Sequence, residues 1–524
     1  MAQDSGDFPD PNGINGLGRT GSARARGGAA GRVPGRTDVG RGRYRGAVRL
    51  TPLTLLTLLA VAGCTATPAP VPTPAPVTSA ASSPSAAAAL DYGAFAAGRS
   101  QPVKDTVYPK HGNPGLDVLH YGLDLDWSPA TRKLTGTATV QVRGAVALSS
   151  IQLDFSSAYA IQGVTVDGYP AEADDSADKL TIHKGLDADA YATLVVKYAG
   201  TPKPTPMPSH RSDAEPLGLT MTADGSLWTM QEPFGAFTWY PANDQPSDKA
   251  LYDIDVTVPA GWTAIAGGTP RPRTGDTFHF TSEHPVASYL TTLAVGKYQQ
   301  ETAKGPHGIP LTYWYRPGKD DAAMKIVRKS PQYLSWLEQH FGAYPFATGG
   351  VLLVPSASGM ETQQMITMGT KFEAGDLLHE YSHHWFGDTV GPTTWSDVWL
   401  NEGWAMYAQL LWQAEQEHIT DAQLTTWLRA TDAKLRKSVG PPGKPPADSF
   451  AEGNVYICPA AMLHTIHRQI GDQAFFSLAK DWAQQHRDGT ADRAMFIAFV
   501  NQHTGRDFTK LITTWLDSPT TPAA

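Results

Sequence analysis

Three side chains with metal-binding chemistry stand at a spacing that a helix would turn into a site. His379-Glu380-Tyr381-Ser382-His383 is an H-E-x-x-H run. Residues four apart share a helix face, so both imidazoles reach one cation while Glu380 stands beside them as a general base. A hydrolytic zinc site keeps one position open for water and therefore needs a third protein ligand. Glu402 supplies a candidate, separated from His383 by eighteen residues, in Trp399-Leu400-Asn401-Glu402-Gly403 at the start of a second helical stretch. One Zn²⁺ per chain, held by His379, His383 and Glu402, is the expectation. His384 lies about 140° round the helix from His379 and reads as a packed or exposed ring rather than a ligand. His464 and His467, three apart, show no evident carboxylate partner in the sequence and read as structural. Cys458 reads as a buried thiol, since a complete zinc site needs no nucleophile.

The elements that must position these groups divide the chain in two. From Leu119 the apolar pattern has period two: Leu119, Tyr121, Leu123, Leu125 and Trp127, then Leu134, Ala138, Val140 and Val142. Ile151/Leu153/Phe155, Val164/Val166 before an Asp167-Gly168 turn, Leu194/Val196/Tyr198, Tyr252/Ile254/Val256/Val258 and Phe278/Phe280 continue it to about residue 300. Short strands joined by turns predict a mostly antiparallel β domain over 115–300. After about 320 the period becomes helical, through Met324, Ile326, Val327, Tyr333, Leu334, Leu337 and Phe341, broken by the Pro- and Gly-rich stretch 440–446. The expected fold class is α+β multidomain, with a mostly helical catalytic domain over 301–518 and a polar tail at 519–524.

The chain has 524 residues, 50 acidic against 42 basic, for a net charge of −8. Residues 1–49 hold nine Arg and four Asp, leaving 33 basic and 46 acidic residues, a net −13, beyond them. An acidic body argues against nucleic acid as a partner, because phosphate binding needs basic patches. Two cysteines, Cys64 and Cys458, exclude a disulfide framework in practice. The first 49 residues, rich in Gly and Arg, read as a disordered leader. From Leu50 to Ala62 the chain is apolar or small, too short to span a bilayer but suited to a signal-peptide core. It ends in Val61-Ala62-Gly63-Cys64, which resembles the lipobox of bacterial lipoproteins. That resemblance implies lipidation of Cys64 and an extracytoplasmic protein anchored to the cell membrane, with 50–64 as signal and lipobox. Residues 65–90, almost entirely Ala, Pro, Ser, Thr and Val, read as a flexible tether.

The stretch from His379 to Tyr407, HEYSHHWFGDTVGPTTWSDVWLNEGWAMY, resembles the zinc signature of the M1 family, the aminopeptidase N-like gluzincins. Further similarities run in order: Tyr121-Gly122-Leu123-Asp124-Leu125, the segment Trp239–Pro246 followed by Lys249-Ala250, and Phe341-Gly342-Ala343-Tyr344-Pro345-Phe346. The resemblance covers roughly 115–518. It implies a saddle-like β domain ahead of a thermolysin-like zinc domain, and removal of N-terminal residues from peptides. Ser358-Gly359-Met360-Glu361-Thr362 stands where the family has G-A-M-E-N, so Glu361 matches the carboxylate that binds the substrate α-ammonium. Glu232, nine residues before Pro241, falls on a second carboxylate of that subsite. Tyr456 matches the Tyr that stabilises the tetrahedral intermediate. Cys458-Pro459 replaces the usual Lys-Gly, Thr362 replaces Asn, and Met230 stands where many relatives carry Gln; these departures bear on substrate preference. The resemblance also implies a short form without the large C-terminal helical domain, and so a more open cleft.

The expected function is zinc-dependent removal of residues from peptides with a free N-terminus, by attack of an activated water. An open-cleft metallo-endopeptidase keeps the chemistry with a different register. A catalytically silent surface-binding lipoprotein is the reading from a different class.

Overall fold

The computed structural model describes residues 90–523. The leader, the signal core with Cys64 and the tether up to residue 89 lie outside the described residues.

Most of the period-two segments build a nine-stranded sheet, whereas Ile151–Asp154 pairs with Lys179–Ile182 in a separate three-stranded one. In the strand Leu116–Ser128, Leu123, Leu125 and Trp127 are buried while Asp124 and Asp126 between them are exposed. It pairs antiparallel with Lys133–Gly144, which pairs in turn with Tyr191–Gly200. Its other neighbour, Lys249–Thr257, runs parallel to it, with Tyr121 opposite Tyr252 and Leu123 opposite Ile254. This pair departs from the expected antiparallel pattern. Alternation records which face is buried and is silent on the direction of the neighbour, and a parallel pair needs only a long crossover. Asp167 and Gly168, with φ of 53° and 82°, make the tight turn between Tyr159–Val166 and Tyr169–Pro170. Residues 91–114, unassigned from sequence, add the short 3₁₀ helix Tyr92–Gly98 against the sheet. Asp105 in this segment accepts a hydrogen bond from the backbone N–H of Trp395, 2.7 Å away.

A four-stranded sheet carries the strand Leu227–Met230, buried along its whole length, which leads into Glu232. Gln231 fixes that exit. Its amide donates to the carbonyls of Ser288 and Thr291 at 2.8 and 2.9 Å, and its Oε1 accepts from the Trp239 indole at 2.9 Å.

The later part of the chain opens on a five-stranded sheet, ordered Gln299–Lys304, Pro310–Tyr315, Gly349–Leu353, Ile366–Met368 and Gly359–Met360. The edge strand Gly359–Met360 runs straight into Glu361. Helices follow: α1 (Asp321–Val327), α2 (Ser330–Phe341), α3 (Ala374–His383), α4 (Trp399–Glu417), α5 (Asp421–Ser438), α6 (Gly453–Ile470), α7 (Asp472–Gln485), α8 (Arg493–Thr504) and α9 (Thr509–Asp517). The 440–446 stretch falls between α5 and α6. Helix α4 packs against both α3 and α6 in a core that buries Trp399, Trp404, Trp482 and Trp515. Among the described residues no helix is long and apolar enough to cross a membrane.

Candidate active site

Helix α3 carries His379, Glu380 and His383. A reciprocal cap fixes its start: Glu373 and Asp376 each accept the other's backbone N–H, which satisfies two of the orphan donors of the first turn. Asp376 also accepts from Gln409 at 3.3 Å, tying α3 to α4. The chain leaves α3 through a short π turn, pairs Val390–Pro392 with Gly489–Ala491, and re-enters a helix just before Glu402. The buried Lys249 ammonium holds this connection by donating to the carbonyls of Asp388 and Thr389 at 2.7 and 3.3 Å.

The three proposed ligand atoms converge. His379 Nε2 lies 3.1 Å from His383 Nε2 and 3.3 Å from Glu402 Oε2, and His383 Nε2 lies 3.5 Å from the same oxygen. His383 Nδ1 donates to the Phe386 carbonyl at 3.1 Å, which turns the Nε2 lone pair toward the cluster. A tetrahedral zinc set with bonds of about 2.0–2.1 Å needs ligand atoms roughly 3.3 Å apart, and this donor set matches it in both spacing and chemistry. Burial pushes the His379 pKa down and keeps that ring neutral. Burial also disfavours charge on His383, but Glu361, Glu402 and Glu380 outweigh it and raise the pKa of that ring. Glu402 resists burial through its two imidazole neighbours and is held down to about 2. Two imidazoles and a carboxylate gathered this closely, with Glu361 and Glu380 beside His383, are suited to a divalent cation.

The other residues singled out from sequence line the same cleft: Glu232, Glu361, Glu380 and Tyr456. Glu380 sits beneath the edge strand, where a Cβ on Gly359 would lie 2.8 Å from its Oε1. Glycine at 359 is what lets the strand approach so closely. Burial, with Glu361 and Glu402 nearby, raises the Glu380 carboxyl well above the usual range. Glu361 is buried, and one oxygen of Glu361 and one of Glu232 are enclosed with no hydrogen-bond partner in the protein. Burial and then the Glu361 charge raise the Glu232 pKa. The Tyr456 phenol stands beside His379, with ring centroids 5.9 Å apart. Burial and Glu402 keep it protonated.

Thr362, where the family pattern has Asn, turns away from the cleft: its hydroxyl donates to the Met365 carbonyl and meets Thr367 Oγ1 at 3.0 Å. Met230 does line the cleft. His384 is buried among Tyr344, Phe346 and Tyr381 rather than at the metal cluster. His464 and His467 are structural, bonded through Nδ1 to the Tyr407 hydroxyl at 3.1 and 2.8 Å. The sequence pattern missed their carboxylate partners, Asp421 at 3.5 Å and Asp472 at 3.0 Å. Cys458 is a buried free thiol whose pKa burial raises. Sequence reasoning also missed Arg211, Asp213 and Glu215, which reach the cleft from the irregular segment 201–217. Its one visible signal is an Arg-x-Asp pair in an otherwise Pro-rich run.

Two family models match this chain. The Peptidase M1 N-terminal domain covers residues 118–290 and the Peptidase family M1 domain covers 326–515. The chain belongs to peptidase family M1. Like other M1 peptidases it has a β-rich domain ahead of a helical catalytic one, and membership implies a catalytic zinc. The M1 zinc metallopeptidase of Deinococcus radiodurans is 29% identical, with a TM-score of 0.72 over 81% of this chain and 99% of that one. Aminopeptidase N of Streptomyces lividans is 28% identical over 334 residues, which are 56% of this chain and 38% of that protein. Aminopeptidase B of Mus musculus is 28% identical over 334 residues, 56% of this chain and 50% of that protein. The matches thus span half or less of the length of these curated relatives.

Proposed function

We propose that this chain is a zinc-dependent aminopeptidase, acting on peptides with a free N-terminus. One observation carries the exopeptidase register. Glu232 and Glu361 both line the cleft that holds His379, His383 and Glu402, and each has one enclosed oxygen with no hydrogen-bond partner in the protein. A buried carboxylate without a partner is costly, and an ammonium group offers each a charge-assisted hydrogen bond. Such a subsite sets the scissile bond one residue in. The relatives named as aminopeptidases support this reading. So does the Deinococcus radiodurans protein, a variant of which is described bound to a Tyr-Ser-Ala substrate.

His379, His383 and Glu402 would hold the zinc, which would supply Lewis acidity toward the scissile carbonyl and toward water. Glu380, on the same helix as the two imidazoles, accepts the proton of the attacking water and returns it to the leaving amine. Tyr456, protonated, donates to the oxygen on which negative charge develops. We further propose that Cys64 carries the lipid of a membrane-anchored, extracytoplasmic protein, on the strength of the sequence around it.

The test compares one peptide with its N-terminus free and acetylated, with and without a chelator, read by mass spectrometry. A ladder of N-terminal truncations from the free peptide alone, abolished by chelation, is expected. Internal cuts made equally fast in both forms would mark an endopeptidase. No cleavage by the zinc-loaded protein would mark a binding protein.

A further inference from the structure

The segment 201–217 is fastened to the start of the helix that carries Tyr456. Phe450 N–H donates to the Pro208 carbonyl at 2.8 Å. Glu452 is the N-cap of α6, yet its side chain does not cap the helix. It accepts instead from the His210 N–H at 3.1 Å and the Ser209 hydroxyl at 3.4 Å. The side chain at the N-cap position is thus used to hold this arm.

The arm ends in a guanidinium. Arg211 is bidentate to Asp213, Nε to Oδ1 at 2.9 Å and Nη2 to Oδ2 at 2.6 Å. Its Nη1 donates to the Ala451 carbonyl at 3.2 Å and to the Tyr456 phenol oxygen at 3.0 Å. Four hydrogen bonds in a planar fork leave the group little freedom to turn.

Arginine only donates, so in this contact the phenol oxygen must accept. The Tyr456 proton is thereby directed away from Arg211, and among the described residues no other group bonds to that hydroxyl. A phenol that accepts from a cation is also the stronger donor, since each hydrogen bond polarises the next. We propose that Arg211, braced by Asp213, is a positioning residue that aims and polarises the Tyr456 hydroxyl toward the developing oxyanion. This rests on the aminopeptidase reading above.

A competing role for the same cation is to grip a substrate carboxylate. The existing bonds argue against it, because four of the five guanidinium N–H groups already have protein partners.

The experiment is a double-mutant cycle on the zinc-loaded full chain, Arg211→Ala against Tyr456→Phe, with kcat and KM measured on a free aminoacyl substrate. Arg211→Ala should lower kcat by roughly tenfold or more, a part of the 10²–10³ that one oxyanion donor supplies, with KM within about twofold. Added to Tyr456→Phe, it should cost less than about twofold, because the group it acts through is gone. Arg211→Lys and free guanidinium ion should each restore part of the loss when Tyr456 is present, and none in the Tyr456→Phe background. If Arg211→Ala folds poorly, the Lys variant and its dependence on Tyr456 decide alone. An equal cost in both backgrounds would overturn the proposal, as would a loss confined to KM that disappears with C-terminally amidated peptides. An inactive wild type fails the aminopeptidase reading itself, whereas an active wild type with an additive cycle fails only the role of Arg211.

Discussion

Gly403 lies so close to Pro459 that a Cβ on it would stand 2.6 Å from the proline Cβ and 2.8 Å from its Cγ. The contact joins α4 one residue past Glu402 to α6 three residues past Tyr456, so it sets the spacing between a proposed metal ligand and a proposed oxyanion donor. Proline inside α6 removes a helical N–H, and the glycine is what admits its ring.

Gly403→Ala should therefore destabilise the protein, although alanine is the better helix former by about 1 kcal/mol. Overpacking of about 1–3 kcal/mol outweighs that gain. A lower Tm and weaker zinc retention are expected in thermal denaturation and metal titration. Replacing Pro459 with glycine in the same chain should recover much of the loss, since its Cβ and Cγ are the obstructing atoms. A Gly403→Ala protein as stable as wild type would show that the helices separate freely.

Glu380→Gln should keep stoichiometric zinc and lose nearly all hydrolysis. The three ligand side chains are unchanged, while an amide neither accepts nor returns the proton. Metal analysis and single-turnover assays check the two halves separately. An empty site, or near-normal turnover, would remove Glu380 from the role of base.

Much of this centre was legible because helical spacing is arithmetic. The i to i+4 step from His379 to His383 puts two imidazoles on one face, and the structure finds their Nε2 atoms 3.1 Å apart. Glu232 and Glu361 came from the resemblance to the M1 pattern, each just past the end of a strand of a different sheet, and both line the cleft. Arg211 was not legible. It sits in an irregular Pro-rich segment with no periodicity, and its placement depends on its own bonds to Ala451 and Tyr456 and on that of His210 to Glu452, some 240 residues later. The parallel pairing of Leu116–Ser128 with Lys249–Thr257 was hidden for a different reason: two strands buried on one face show the same alternation whichever way the neighbour runs.

Tyr456→Phe should lower kcat by roughly 10²–10³ with little change in KM, the usual cost of one lost oxyanion donor. The ring is kept, so its stacking beside His379 and the metal content should persist. Steady-state kinetics with a zinc assay checks both. An unchanged kcat would leave Tyr456 a packing residue and assign the oxyanion to another donor.

Cys64→Ser should move the protein from the membrane fraction to the soluble one, or hold it as an uncleaved precursor. A single acyl chain binds membranes only marginally, so stable attachment requires the several chains of a lipoprotein anchor. Detergent-free fractionation that found the wild type wholly soluble would refute lipidation.

The two carboxylates of the proposed amine subsite should separate under mutation. Glu361 is buried beside the edge strand, whereas Glu232 is partly exposed as a residue, and burial and then the Glu361 charge raise its pKa. Removing either leaves an incoming ammonium with one partner fewer. Truncating one member of a buried charge pair costs about 2–5 kcal/mol, or well over tenfold in kcat/KM. Glu361→Ala should show the larger loss and should narrow the preference for free over acetylated peptides, because the acetylated form never used that contact. Glu232→Ala should show the same pattern in smaller measure, since Glu361 remains to receive the charge. Competition between the two peptides, followed by mass spectrometry, reads the ratio directly. Equal slowing of both forms in each variant would mean that the carboxylates support the fold of the cleft rather than bind the N-terminus.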